Sequence, residues 1–277
     1  MEEALTKLAE IERELARLRD DSGMRTSVAT HMAWVPAEWE RAAFDALEGL
    51  AERHPSRTIL LLPEPDGEDG LEAEVSLHCF TLPGLEEDVC SEIIELRLRG
   101  KRTVAPASIV APLLIADLPA FLRWRGKPPF GEQAFEQLIG VADRLIVDST
   151  EWPDLPAGYS QLAEIFERVM VSDIAWARTS RWRRQLASLW PGIAEVERIH
   201  VRGTAAQAHL LAGWLRSRLG RVVALEHTPA EKLEGVDVDG EPAQFPPGEA
   251  PAPSDLLSDE LDRYGRDRVY ETAVGAA

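Results

Sequence analysis

Apolar residues recur over the first twenty positions at steps of three, three, four and three: Leu5, Leu8, Ile11, Leu15 and Leu18. This spacing predicts an amphipathic helix over residues 1–20, with Glu and Arg on its other faces. So narrow a stripe serves a coiled-coil seam, a partner contact or, most commonly, packing on the chain's own body. The turn formers Asp20-Asp21-Ser22-Gly23 end it. Residues 26–35 then read as a strand, and Pro36 suits the first turn of a helix over 37–53 that His54-Pro55-Ser56 breaks. Residues 58–62 are continuously aliphatic, as in a strand buried on both faces, so the β-α-β order predicts a parallel pair with a right-handed crossover.

After the acidic turn at 63–70, residues 71–79 alternate apolar and polar positions with period two. Residues 90–99 do the same, predicting an antiparallel, half-buried neighbour closed by Gly100. Residues 103–115 read as a buried helix interrupted by Pro106 and Pro112, 118–124 as a strand, 132–139 as a helix and 145–147 as a last strand. Beyond a joint at 154–158 come helices over 159–170 and 173–190, a strand at 196–201 and a helix over 205–219 stopped by Gly220. Strands at 222–225 and 233–238, a Pro-rich connector at 244–253 and an amphipathic helix over 255–275 complete the chain. The fold class expected is α/β: an N-terminal mixed-sheet α/β domain at 1–155, including the leading helix, and a smaller C-terminal α+β domain at 156–277.

Composition narrows the possible partners. The 277 residues carry 30 Lys+Arg against 48 Asp+Glu, a net charge of −18. Phosphate backbones and anionic bilayers are held by clustered positive charge, so neither nucleic acid nor membrane is an expected partner. No apolar run approaches the ~20 residues that span a bilayer, and from the acidic start Met1-Glu2-Glu3 no secretory signal is expected. Two cysteines, Cys79 and Cys90, speak against a disulfide framework and for a reducing, cytoplasmic setting. Cys79 falls on the apolar face of its strand and reads as a core residue. Cys90 sits beside Asp88 and Glu92, which disfavour its thiolate.

Catalytic motifs are missing. There is no G-x-G-x-x-G and no G-x-x-x-x-G-K-[ST], and the turns after predicted strands carry Pro and Asp, as in Leu62-Pro63-Glu64-Pro65. The six histidines show no metal-ligand spacing, and the adjacent His78 and Cys79 point to opposite faces of a strand. No cofactor or metal is expected, and no G-x-S-x-G elbow occurs. Paired carboxylates are abundant and in so acidic a chain read as solvated charge; Asp117 and Asp148, each beside a predicted strand, carry more weight as a catalytic pair, for a sugar-phosphate-binding hydrolase or isomerase.

The most specific local feature is residues 172–184, which pack two tryptophans and four arginines into one predicted helix capped by Ser172 or Asp173. Its residues leave two readings open. The tryptophans form core with the arginines lying over them, or the segment is a protein- or anion-binding surface, since Trp and Arg are enriched at interface hot spots. The candidate partner-binding residues are Trp176, Arg178, Trp182 and Arg183.

The order of several segments carries a resemblance. These are His54-Pro55-Ser56-Arg57 before an aliphatic strand, Glu92-Ile93-Ile94-Glu95-Leu96 before Arg97-Leu98-Arg99-Gly100, and Pro112-Leu113-Leu114-Ile115-Ala116-Asp117-Leu118-Pro119 before Arg123-Trp124. Arg144-Leu145-Ile146-Val147-Asp148-Ser149 follows, then Asp173-Ile174-Ala175-Trp176 with Arg178 and Trp182-Arg183. From about residue 25 to 220 the chain resembles the glucose-6-phosphate dehydrogenase assembly protein (OpcA) family of actinobacteria and cyanobacteria. The resemblance implies a cytoplasmic accessory protein without catalysis of its own. It implies glucose-6-phosphate dehydrogenase as partner, whose oligomerisation or activity in the oxidative pentose phosphate pathway it promotes, as an allosteric activator would. The family offers no catalytic residue to carry over.

Overall fold

The computed structural model describes residues 2–21, 27–51, 54, 56–81, 88–248 and 251–277. In chain order the elements are α1 (Glu2–Asp21), β1 (Thr30–Trp34), α2 (Glu40–Ala51), β2 (Arg57–Glu64), β3 (Gly70–Thr81), β4 (Asp88–Arg99), α3 (Ala107–Val110), β5 (Ala120–Trp124), α4 (Gln133–Ile139) and β6 (Arg144–Val147). They continue as α5 (Ala157–Ala163), β7 (Met170–Asp173), α6 (Ile174–Arg178), α7 (Ser180–Ala187), β8 (Arg198–Gly203), α8 (Ala205–Leu219), β9 (Ala224–Pro229), β10 (Gly235–Val238), β11 (Glu241–Pro242), α9 (Pro253–Leu261) and α10 (Arg268–Gly275). The chain forms two units: Met1–Ile146 with Pro253–Asp262, and Val147–Ala252 with Arg263–Ala277.

The strands of the first unit lie in the order β3-β4-β2-β1-β5-β6. β4, β2, β1, β5 and β6 run parallel, and β3 is antiparallel at the edge. The aliphatic run of β2 is buried throughout, as a parallel strand covered on both faces requires. Strict alternation marks β3, whose uncovered face meets solvent. The stripe of α1 is used within the unit: Leu8, Ile11 and Leu15 are buried, and the helix packs on β3. Of the turn residues expected after it, Ser22 and Gly23 lie outside the described residues, as does Pro55 of the expected break after α2.

Arg57 and Glu92, from two of the segments that carried the resemblance, meet across β2 and β4. Arg57 Nε donates to Glu92 Oε2 at 2.8 Å and its Nη1 to the Leu113 carbonyl at 2.7 Å. Both side chains are buried, so each compensates a charge that would otherwise be stranded.

Three expectations for this unit change. Residues 103–115 form no continuous helix but a 3-10 turn at Gly100–Val104, the single-turn α3 and a second 3-10 turn at Ala111–Leu113. Proline lacks the N–H and its ring crowds the preceding turn, so Pro106 and Pro112 divide the ladder. The 3-10 turn Ala37–Trp39 precedes α2. The cysteines are joined: Cys79 and Cys90 form a disulfide. They sit directly opposite each other in the β3–β4 register, and opposed residues project to the same face. Cys79 is exposed rather than core, while Cys90 is buried. A count of two excludes a multi-bridge framework but not one bridge, so it no longer speaks for a reducing compartment.

The second unit carries a four-stranded sheet in the order β11-β10-β8-β9, with β8 and β9 parallel and β10 antiparallel to β8. Its buried helix α8 has a full capping box, Thr204 with Gln207, and ends on Gly220 at φ 63°. Gly213 of α8 lets α10 approach: a Cβ there would lie 2.1 Å from the Ala273 carbonyl oxygen. The helix expected over 159–170 ends at Ala163, and residues 170–173 form strand β7 instead. A four-residue strand is too short to display a period. The helix expected over 173–190 is interrupted at Thr179, and that over 255–275 is two helices, α9 and α10. The fold class stands as read: mixed α/β with a smaller α+β part. Among the described residues no helix is long and apolar enough to cross a membrane.

Candidate partner-binding site

The Trp/Arg segment is built on a buried polar centre in the second unit. Asp173 ends β7 and caps α6 by accepting from Ala175 N at 2.9 Å. It also accepts from Ser149 N at 3.0 Å, Ser149 Oγ at 2.6 Å and Tyr270 Oη at 3.3 Å. Ser149 shares a 2.8 Å hydrogen bond with the Tyr159 hydroxyl. Burial, and then the nearby charge of Asp148, push the Asp173 carboxyl up to about 6 against the opposing hydrogen bonds. Burial and the Asp173 charge hold the Tyr159 phenol well above its ordinary value. A serine donating to a carboxylate has the form of an activated nucleophile. Here Ser149 is 0% exposed and Asp173 1%, so neither faces solvent, and the network ties β7, α5 and α10 together.

Both tryptophans are buried. Trp176, at 2% exposure, donates from Nε1 to Asp267 Oδ2 at 2.8 Å and packs against Tyr270. Asp267 in turn caps α10 through Tyr270 N. Trp182 meets Phe245 edge-on at 5.5 Å. Thr179, between the helices, donates its hydroxyl to the Trp176 carbonyl and accepts from Arg183 Nε.

The four arginines of the segment, with Arg218 of α8, divide by what they hold. Arg178 Nη1 contacts both oxygens of the buried Asp148, at 2.9 and 2.6 Å. Arg181 donates to the carbonyls of Pro246, Pro247 and Gly248, holding down the Pro-rich connector. Arg183 lies over the Trp176 ring, 3.4 Å from its centroid. Arg184 and Arg218 are exposed and have no hydrogen-bond or ion-pair partner among the described residues. Arg183, Arg184 and Arg218 border one cleft of about 390 Å³ that is also lined by Ala187, Trp214, Val269 and Asp267, whose carboxylate accepts from Trp176 Nε1 and Tyr270 N. Immediately beyond α7, Leu189 and Trp190 are 38% and 68% exposed.

Of the residues picked out by sequence, Arg183 therefore borders the cleft, Trp176 supports it from beneath, and Arg178 and Trp182 are tied into the unit. Arg184 was in the segment but not singled out. Arg218 was not seen, although Arg216-x-Arg218 in the last turn of α8 was the available signal; Arg216 is spent on the carbonyls of Val223 and Ala276. The alternative catalytic pair falls in different units. Asp117 has a positive φ of 65° and precedes β5, at the end opposite to where α/β sites form. Asp148 is engaged by Arg178 and Thr150. Among the described residues no group of three or more His, Cys, Asp or Glu side chains could hold a metal ion.

The chain matches two family models, described as the glucose-6-phosphate dehydrogenase subunit N-terminal domain, over residues 48–164, and its C-terminal domain, over residues 169–245. Among curated proteins it is 28% identical over 182 residues to one from Synechococcus elongatus, covering 62% of this chain and 41% of that protein. It is 29% identical over 181 residues to one from Nostoc punctiforme, covering 61% and 39%. Both are provisionally named "OxPP cycle protein OpcA". The matched part of the chain spans about two fifths of the length of these relatives. Because the two family models together cover most of the chain, the protein belongs to the OpcA family of glucose-6-phosphate dehydrogenase assembly proteins.

Proposed function

We propose that this chain is a non-catalytic accessory subunit that binds glucose-6-phosphate dehydrogenase and promotes its active assembly. The observation that carries the reading is the cleft of Arg183, Arg184 and Arg218, two of whose guanidinium groups have no hydrogen-bond or ion-pair partner among the described residues, in a chain of net charge −18. A protein with 48 carboxylates leaves arginines unpaired most usefully where another molecule supplies the anion. Arg and Trp are the residues that dominate interface energetics, and Trp190 stands exposed directly beyond α7. The occupant of the cleft is an acidic patch of the dehydrogenase. The two tryptophans of the segment act from inside: Trp176 fixes Arg183, and Trp182 fixes α7.

Activation then needs no chemistry from this chain. A partner that prefers the active dehydrogenase conformation shifts the population by its differential affinity. A hundredfold preference is about 2.7 kcal/mol, within the reach of one hot-spot cluster.

The test measures dehydrogenase activity and molecular size with and without the full chain, across a range of salt concentrations. Wild type raises activity and co-elutes, with an association rate that falls as salt screens the arginines. Arg184→Glu with Arg218→Glu abolishes both effects without altering the fold. Undiminished association in that double variant removes the cleft from the interface. No association of the wild type, or turnover of a metabolite by the chain alone, ends the reading altogether.

A further inference from the structure

The first unit holds a second, chemically opposite site. β1 passes through α2 to β2 on one side, while β5 pairs with β1 on the other, so the strand order reverses at the carboxyl ends of β1 and β5. Open α/β sheets bind ligands in the crevice outside such a reversal, commonly anionic ligands held by glycine turns and helix N–H groups. Here that place is a crevice of about 690 Å³. Its floor rests on Trp34 and Trp124, the last residues of β1 and β5, which are buried at 7% and 2% exposure and stacked with centroids 5.0 Å apart and planes inclined by 11°. Pro36, Pro63, Pro65 and Pro129 continue the floor, and Val104, 46% exposed, stands at its edge.

At the ends of β1 and β5 the backbone offers little to an anion. Four prolines contribute no N–H, and the donors nearest the strand ends are spent inside the sheet: Val35 N on the Leu61 carbonyl at 2.9 Å, and Arg125 N on the Trp34 carbonyl at 3.1 Å. The charges at the rim are Glu38 and Glu132, both exposed and without a cationic partner among the described residues. Proline surface, backed by the buried tryptophan pair, is rigid, so covering it costs little side-chain ordering.

We infer that this crevice docks a segment of a partner protein that presents an apolar side chain flanked by Lys or Arg. The apolar side chain lies on the proline and Val104 surface above the buried Trp34–Trp124 pair, and the basic residues meet Glu38 and Glu132. The site is distinct in unit and in charge from the arginine cleft, and it stands whether or not the dehydrogenase is the partner there.

The probe is a library of random peptides displayed on phage and selected on the full chain, followed by affinity measurement of the enriched peptides. The expected result is a class with Leu, Phe, Trp or Pro beside Lys or Arg. These peptides lose about tenfold or more in affinity against Glu38→Lys with Glu132→Lys, two attractions having become repulsions. They lose as much against Val104→Asp, and nothing against Arg184→Glu with Arg218→Glu. The three positions altered at the crevice are exposed, and unchanged unfolding midpoints verify that the fold is intact. If no basic-apolar class is enriched, or if its binding ignores both crevice variants, the inference is overturned. Enrichment of acidic peptides whose binding depends on Glu38 or Glu132 overturns it equally.

Discussion

Arg178→Ala tests how the Trp/Arg segment is built. The carboxylate of Asp148 is 6% exposed and Arg178 30%, with Nη1 within 2.9 Å of both oxygens. Removing one partner of a buried ion pair costs about 3–5 kcal/mol, because the other charge stays buried and uncompensated. Two features lower that figure here. Asp148 keeps hydrogen bonds from Thr150 N at 3.2 Å and Thr150 Oγ1 at 2.6 Å, and water enters the space of a side chain that was already part exposed. The expected loss is therefore about 2–3 kcal/mol for the second unit. With a urea slope of about 1–3 kcal/mol/M, the midpoint falls by roughly 1 M. The assay is urea unfolding with hydrogen exchange resolved over residues 147–187, on Arg178→Ala, Asp148→Asn and the pair. Asp148→Asn with Arg178→Ala costs less than the sum of the single variants, since no charge is left stranded. A midpoint shift below about 0.2 M for Arg178→Ala, or strict additivity in the pair, refutes the reasoning. It follows that Arg178→Ala weakens any partner contact through the scaffold, which is why the interface test uses Arg184 and Arg218.

His31 is fully buried, neither ring nitrogen has a hydrogen-bond partner among the described residues, and burial followed by the charges of Arg123 and His54 lowers its pKa to about 4. The unfolded chain takes up this proton at about 6.5, so stability is full above that pH and falls as pH drops toward 4, by about 3 kcal/mol in all; a His31→Leu variant shows a flatter pH profile of unfolding, and an unchanged profile counts against the assignment. Asp173 has the opposite sign: its raised pKa makes ionisation costly above about 6, a cost that fades as pH falls, and its carboxyl carbon resonance titrates near 6 rather than near 4. Gly213→Ala forces a methyl against the Ala273 carbonyl oxygen, separating α8 from α10 at a cost of about 1–3 kcal/mol in thermal or urea unfolding; a neutral effect means that the helices do not meet there as described.

Much of the architecture was legible because it rests on local rules. The aliphatic run in β2 and the alternation in β3 and β4 declare their elements within a few residues, since burial on two faces or one imposes a period on the chain, and Gly220 marks the end of α8. Where expectation failed, the deciding interaction was either too short-ranged to leave a period or too long-ranged to be seen. β7 is four residues long, and Pro106 and Pro112 divide a helix that hydrophobicity alone would have continued. The Cys79–Cys90 bridge depends on a register between β3 and β4 that shifts every side chain to the other face with one residue of slip.

The site divides in the same way. Sequence alone picked out the Trp/Arg segment, because two tryptophans and four arginines in thirteen residues are conspicuous without any fold. It could not say which arginines are spent internally, since Asp148 lies 30 residues before Arg178 and the carbonyls that hold Arg181 lie 65 to 67 residues beyond it. The cleft needed Arg218 from α8, and the acidic crevice needed Trp34 and Trp124 brought into register by strands 90 residues apart. Local free energies write themselves into neighbouring residues, whereas a site assembled across the sheet exists only once chain entropy has been given up to close those long loops.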